Sequence, residues 1–194
     1  ATETAELVKK YNGSISGEHG DGRVRGEFIP MMIGEQNYQL LRRLKYTFDP
    51  NSIFNPGKIV DTPPMDTSLR YEENQETRQF DTLYNFDKDQ GILRAAERCN
   101  GCGECRKLPG SGGTMCPSYM ATRNENDTTR ARANMLRDFL TNSTQVNKFN
   151  HKEIYETMDL CLSCKGCSSE CPSNVDITAL KAEFLHQYYK DNGI

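Results

Sequence analysis

The chain has 194 residues, of which 24 are basic and 27 acidic, so its formal net charge is only -3. No block of like charges marks a surface for nucleic acid or an anionic membrane, and we expect no nucleic-acid partner. Hydrophobic residues make up 36% of the chain, which supports one or two small domains with modest cores. No run approaches the roughly 18 apolar residues that cross a bilayer, so we expect no transmembrane segment.

Residues 1–62 are predicted to contain two helices joined by a glycine-rich loop. Helix formers with apolar residues at helical spacing run from Thr2 to Lys10 and from Gly34 to Phe48. The loop between them holds His19 beside Glu18 in the motif GEHG. An imidazole next to a carboxylate can accept a proton near neutral pH, yet a solvated loop explains the same pattern equally well.

Turn signals end this first part of the chain. The sequence NPGK at residues 55–58 predicts a turn, and a proline pair follows at residues 63–64. Residues 63–88 are polar and acidic with scattered aromatic side chains, which is typical of a linker that lies over a surface. We therefore predict three parts: residues 1–62, a linker over 63–88, and a second domain over 89–194.

All eight cysteines lie in the third part, in two sets of similar spacing. Each set has three cysteines separated by two residues, followed by a cysteine that precedes proline. The sets are Cys99, Cys102, Cys105 with Cys116, and Cys161, Cys164, Cys167 with Cys171. Such a triplet can bind three corners of a 4Fe-4S cluster, and in two-cluster ferredoxins the fourth cysteine ligates the cluster of the other triplet. We therefore predict two 4Fe-4S clusters, with Cys171 completing the first triplet and Cys116 the second.

Other interpretations of the cysteines stay open. Eight cysteines could hold two structural zinc ions in an interaction module, although zinc sites usually use two C-x2-C pairs without a third cysteine at the same spacing. The chain could also be a free-standing ferredoxin-like carrier of electrons. A disulfide framework is the least favoured, because no segment resembles a signal peptide. Free or metal-bound cysteines in this number suit a cytosolic setting.

Helices are predicted around both cysteine sets. They cover Gly91–Arg98, a stretch from Thr128 or Thr129 to about Leu140, a stretch opened by an Asn150/Glu153 capping box, and Asp176–Lys190. Arg130, Arg132 and Arg137 fall outside the apolar face of the second of these helices. We interpret each arginine as part of a solvated face, with the alternative that one lies beside a cluster and raises its reduction potential. The predicted fold class is mainly α, with a helical, ferredoxin-like two-cluster domain.

Two stretches of the sequence resemble known families. GSISGEHGDGRVRGEF followed by FDPNSIFNPGKIV is similar to the end of the C-terminal domain of flavin-linked oxidases of the vanillyl-alcohol oxidase class. That class includes glycolate oxidase flavin subunits, D-lactate dehydrogenases and D-2-hydroxyglutarate dehydrogenases. The cysteine region resembles the iron-sulfur subunit of glycolate oxidase, succinate dehydrogenase iron-sulfur proteins and heterodisulfide reductase subunits. Together the two stretches resemble bacterial fusions of an FAD-linked oxidase with an iron-sulfur protein, so we expect residues 1–62 to be a partial α+β segment of an incomplete flavin domain.

The resemblance also implies roles for particular residues. His19 would be the catalytic base towards the substrate hydroxyl, Glu18 a metal ligand, and Asn55 and Lys58 contacts to FAD. An upstream FAD-binding domain outside this chain would hold most of the FAD, so this segment alone is expected to be inactive.

The implied function is electron transfer within an FAD-linked 2-hydroxyacid dehydrogenase. Electrons from a small 2-hydroxy acid, namely glycolate, D-lactate or D-2-hydroxyglutarate, would pass from reduced flavin through two 4Fe-4S clusters. The implied acceptor is a quinone or a cysteine-rich reductase domain. The full-length protein would be a cytoplasmic oxidoreductase, with peripheral association at the inner face of the membrane as an alternative.

Overall fold

The computed structural model describes residues 1–72 and 74–193, and the chain divides into two compact units, Ala1–Gln75 and Glu76–Ile194. The regular structure of the described residues is helical, and no β-strand occurs among them. Most of the segment between α1 and α2 forms turns and bends, without the neighbouring strand whose hydrogen bonds a β-ladder requires. The β component expected in residues 1–62 is therefore not found there. Within the described residues, no helix combines the length and apolar character that a membrane span requires.

The first unit contains two of the predicted helices and one short helix that was not predicted. Its helices are α1 (Thr2–Lys10), α2 (Ile29–Ile33) and α3 (Glu35–Phe48). Helix α3 has no buried residue, and its apolar side chains Leu44 and Phe48 are 57% and 78% exposed. Gly26 lies so close to Thr62 that a Cβ atom at residue 26 would be 2.3 Å from Thr62 Oγ1. A side chain at residue 26 would therefore clash with the Thr62 side chain.

The second unit is a bundle of helices around one core. Its helices are α4 (Ile92–Glu97), α5 (Pro117–Thr122), α6 (Thr129–Asn142), α7 (Lys152–Asp159), α8 (Gly166–Glu170) and α9 (Ile177–Asn192). Helix α6 packs against α4, α7 and α9. Leu136, Leu140, Ile154, Met158 and Phe184 are fully buried in this core. Burying apolar side chains at helical spacing stabilises the bundle and fixes which face of each helix points inward.

Helix α6 begins with a cap that its sequence predicts, α9 begins with a cap that was not predicted, and α7 lacks its predicted cap. Thr128 Oγ1 accepts a hydrogen bond from the Ala131 N–H at the start of α6, and Asp176 does the same for Ala179 at the start of α9. The Asn150/Glu153 capping box is wrong, because α7 begins at Lys152 and has no side-chain cap. The side-chain oxygen of Asn150 instead accepts a hydrogen bond from Asn192 Nδ2 at 2.8 Å, a contact to α9 that local spacing does not reveal.

Residues 76–88 of the predicted linker lie against α6 and α9. Arg78 donates to the backbone carbonyls of Leu140 and Ser143, at 3.3 and 2.9 Å. The Tyr84 N–H donates to the carboxylate of Glu183 at 2.9 Å, and Glu183 is completely buried. A buried carboxylate needs such donors, so these contacts hold this segment on the bundle.

Candidate iron-sulfur site

Four of the eight cysteines line one small pocket of the second unit. They are the second triplet, Cys161, Cys164 and Cys167, and the more distant Cys116. Cys116 is the residue before α5, Cys161 follows the end of α7, and Cys167 lies in α8. The loop from Cys161 to Cys167 makes a tight turn, because Ser163 and Lys165 both have positive φ angles, of 53° and 61°. The fold therefore brings together the four thiols predicted for one cluster.

Arg132 lies beside the sulfur of Cys116. Its Nη1 is 3.4 Å from Cys116 Sγ, and its side chain is only 1% exposed. The Thr129 hydroxyl also donates to this sulfur, at 3.7 Å. The Ser118 hydroxyl lies 3.7 Å from it and donates to the Asp127 carbonyl at 2.8 Å. The interpretation of Arg132 as part of a solvated face is wrong, and the alternative that an arginine lies at a cysteine site describes its position.

Burial sets the protonation of Cys167. It raises the pKa of this thiol from 9.0 to about 11, with smaller contributions from the nearby charges of Asp176 and Cys161. A cysteine ligates iron as the thiolate. Metal binding must therefore displace the proton from Cys167, since solvent alone leaves it protonated at neutral pH.

The first triplet lies near the other side of α6. Cys99 and Cys105 are buried, whereas Cys102 is exposed. Burial raises the pKa of Cys105, and the nearby thiols of Cys116 and Cys99 raise it further. Asn134 Nδ2 on α6 is 3.5 Å from Cys99 Sγ and can donate to it.

A contact that the sequence did not predict ties the two cysteine sets together. The Glu170 carboxylate accepts hydrogen bonds from the Thr114 N–H at 2.6 Å, the Thr114 hydroxyl at 2.8 Å and the Met115 N–H at 3.1 Å. These residues immediately precede Cys116, and Glu170 immediately precedes Cys171. Cys171 itself is half-buried and packs against the helical core. Glu170 thus joins the two segments that carry the cysteines before proline.

The donor set fits a 4Fe-4S cluster. The pocket combines four thiols with an arginine and hydroxyl groups, and hydrogen bonds of this kind stabilise a cluster's ligand sulfurs. A cubane binds each thiolate through a different iron, so its four ligands surround it and do not converge on one point. In agreement with this, no three His, Cys, Asp or Glu side chains within residues 1–72 and 74–193 form a group that could hold a single metal ion.

The GEHG loop of the first unit places its two predicted site residues in contact with each other. His19 Nε2 is 2.9 Å from Glu18 Oε1, and both side chains are more than 80% exposed, at 83% and 85%. Asn55 and Lys58, the predicted FAD contacts, lie together on an open apolar groove formed with Leu44 and Phe48 of α3. His19 and Glu18 are not among the residues that line this groove.

Both units match family models from known proteins. Residues 1–59 match the C-terminal domain of FAD linked oxidases, and residues 98–176 match a 4Fe-4S dicluster domain. The chain is 30% identical to a D-2-hydroxyglutarate dehydrogenase of Escherichia coli, over 96% of the chain and 21% of that protein. It is 31% identical to the Pseudomonas putida protein of that name, over 95% of the chain and 21% of the relative.

A further dehydrogenase matches a shorter part of the chain. A D-lactate dehydrogenase of Archaeoglobus fulgidus is 44% identical over 28% of the chain and 12% of its own length. The chain spans about a fifth of the length of the D-2-hydroxyglutarate dehydrogenases that it matches along most of its sequence. No solved structure was found to match it.

Proposed function

We propose that this chain is the electron-transfer segment of an FAD-linked 2-hydroxyacid dehydrogenase. One observation carries the proposal: Cys116 lies in one pocket with the second triplet, in a chain whose first 59 residues match a FAD-linked oxidase domain. A free-standing carrier has no use for the oxidase segment. The substrate would be a small 2-hydroxy acid of the glycolate, D-lactate or D-2-hydroxyglutarate type, in keeping with the names of the similar proteins.

The eight cysteines would hold two 4Fe-4S clusters by crossed ligation. The first would use Cys99, Cys102, Cys105 and Cys171, and the second Cys161, Cys164, Cys167 and Cys116. When bound, the clusters supply one-electron transfer from reduced FAD to an acceptor outside this chain, a quinone or a cysteine-rich reductase domain. The middle cysteine of each triplet, Cys102 or Cys164, is exposed, so each set has an edge open to a redox partner.

The first unit would contribute to the flavin site. His19 would take the proton of the substrate hydroxyl, and Glu18 orients its imidazole through the 2.9 Å contact. Glu18 would serve as a metal ligand only with partners outside this chain. Asn55 and Lys58 would contact FAD, and the exposed apolar groove beside them would pack against the upstream FAD-binding domain. The many thiols favour a cytoplasmic location, either free or at the inner face of the membrane.

Anaerobic reconstitution with iron and sulfide tests the proposal. We expect a brown chain with about eight iron and eight sulfide ions, four of each for every cluster. Electron paramagnetic resonance (EPR) after reduction should show two 4Fe-4S clusters. A colourless chain that binds zinc and takes up no sulfide would show instead that the cysteines form a structural module.

A further inference from the structure

Helix α6 presents different side chains to the two cysteine sets. Arg130 and Asn134, four residues apart and so on one face, reach the first set: Arg130 Nη1 donates to Gly101 O at 3.2 Å and Asn134 to Cys99 Sγ. Thr129 and Arg132, three residues apart, share another face and both reach Cys116 Sγ. One helix therefore supplies the polar surroundings of both predicted clusters.

The charges on these two faces differ in how well they are screened. The Arg132 side chain is 1% exposed, whereas that of Arg130 is 27% exposed and bonds to the Glu125 carboxylate at 2.8 Å. A charge in a buried site acts more strongly on its neighbours than a charge in contact with water, because the local dielectric is lower. Arg132 should therefore influence its cysteine set more than Arg130 influences the other.

The carboxylate nearest to Arg132 lies beside a different nitrogen from the one that approaches the sulfur of Cys116. The Asp127 carboxylate is 3.6 Å from Nη2, which has no hydrogen-bond partner among the described residues. The same carboxylate accepts a hydrogen bond from the Thr122 hydroxyl at 2.6 Å. The other terminal nitrogen, Nη1, is the one that approaches Cys116 Sγ. The cationic N–H nearest the sulfur is thus bonded to neutral groups, the Asp127 carbonyl at 2.7 Å and the Ser118 hydroxyl at 3.1 Å.

We propose that Arg132 is a positioning residue that gives the cluster bound by Cys116 and the second triplet the higher reduction potential of the two. The inference rests on the proposed function for the ligands of each cluster. Reduction adds one negative charge to a cluster, and a buried cation bonded to a ligand sulfur stabilises that added charge. With both clusters bound, the second cluster would then be the favoured site for the electron, and the exposed Cys164 marks the edge at which an acceptor would approach it.

Redox titration of the anaerobically reconstituted chain, followed by EPR, tests this assignment. Arg132→Gln should lower the equilibrium constant for reduction of the higher-potential cluster at least about tenfold, which is about 59 mV for one electron. The other potential should stay unchanged. The matched control, Arg130→Gln, should leave the higher potential in place. The proposal is overturned if Arg132→Gln moves the lower potential, moves both equally, or moves neither in a chain that keeps both clusters.

A second variant covers the case in which Arg132→Gln loses its cluster. Thr129→Val keeps the shape of a buried side chain but removes another donor to Cys116 Sγ. It should lower the equilibrium constant for reduction of the higher-potential cluster about threefold. With both clusters present, an unmoved higher potential in Thr129→Val then overturns the proposal. A wild-type chain that takes up no iron overturns the proposed function itself, and its iron content reveals this before any potential is measured.

Discussion

Replacing Arg132 by methionine should destabilise the second unit strongly even without iron. The Arg132 guanidinium donates to the backbone carbonyls of Asp127 at 2.7 Å and Thr157 at 2.9 Å, and thereby joins the start of α6 to α7. Methionine has a similar length but no donor, so both carbonyls lose this partner and the Asp127 carboxylate loses the nearby cation. Removing one partner of a buried charged pair costs about 3–5 kcal/mol. We expect Arg132→Met to lower the free energy of unfolding by an amount in that range.

Urea unfolding of the iron-free chain, followed by circular dichroism, measures this loss. Arg130→Met is the matched control, because Arg130 lies on the same helix but makes a partly exposed ion pair with Glu125. Such pairs contribute about 0–1 kcal/mol. A loss below about 1 kcal/mol for Arg132→Met, or equal losses for the two variants, would contradict the claim that Arg132 is a buried element of the site.

Two further predictions follow from the protonation of the site. The pKa of Glu170 lies below its ordinary value, chiefly because the Thr114 N–H donates to its carboxylate. The ionised carboxylate therefore stabilises the folded chain fully above the pKa that Glu170 has when unfolded. This stabilisation is lost as the pH falls through the lower pKa of Glu170 in the folded chain. Glu170→Gln should therefore show a smaller fall in melting temperature between about pH 6 and about pH 3 than the wild type, and equal falls would refute the contact. Burial raises the pKa of Cys167 to about 11, which lowers its thiolate fraction about a hundredfold, whereas the more basic thiolate reacts about tenfold faster. Iodoacetamide should therefore label Cys167 about tenfold more slowly than a thiol of ordinary pKa in the iron-free chain. Mass spectrometry should find the exposed Cys164 labelled first, and equal rates for Cys164 and Cys167 would show that the pocket is not formed without iron.

Local signals in the sequence predicted the main helices well. Helix formers and apolar spacing placed α1 at its observed bounds. They predicted that α6 starts at Thr128 or Thr129 and α9 at Asp176, and the two helices begin at Thr129 and Ile177. The triplet spacing and the cysteine before proline also indicated that Cys116 would join the second triplet, and the two line one pocket. These features depend on short stretches of chain, or on ligand chemistry that requires a particular number of thiols.

Contacts between distant segments could not be predicted in this way. Hydrophobic periodicity treats arginine as a surface residue, so it could not reveal that Arg132 is buried against Cys116 and the carbonyl of Thr157. Glu170 binds Thr114 across 56 residues, and its only signal in the sequence was its place just before a cysteine. The expected β component failed for a related reason, because a strand depends on a partner that the described residues of the first unit do not supply.

The crossed ligation is tested most directly by the EPR spectrum of Cys171→Ser, compared with those of Cys102→Ser and Cys164→Ser. Cys102 belongs to the first triplet and Cys164 to the second, so each reference variant identifies the signal of one cluster. If Cys171 completes the first cluster, its variant should alter the same signal as Cys102→Ser and leave the other unchanged. A Cys171→Ser spectrum that matches Cys164→Ser would show that each cysteine set holds its own cluster, and would contradict the account.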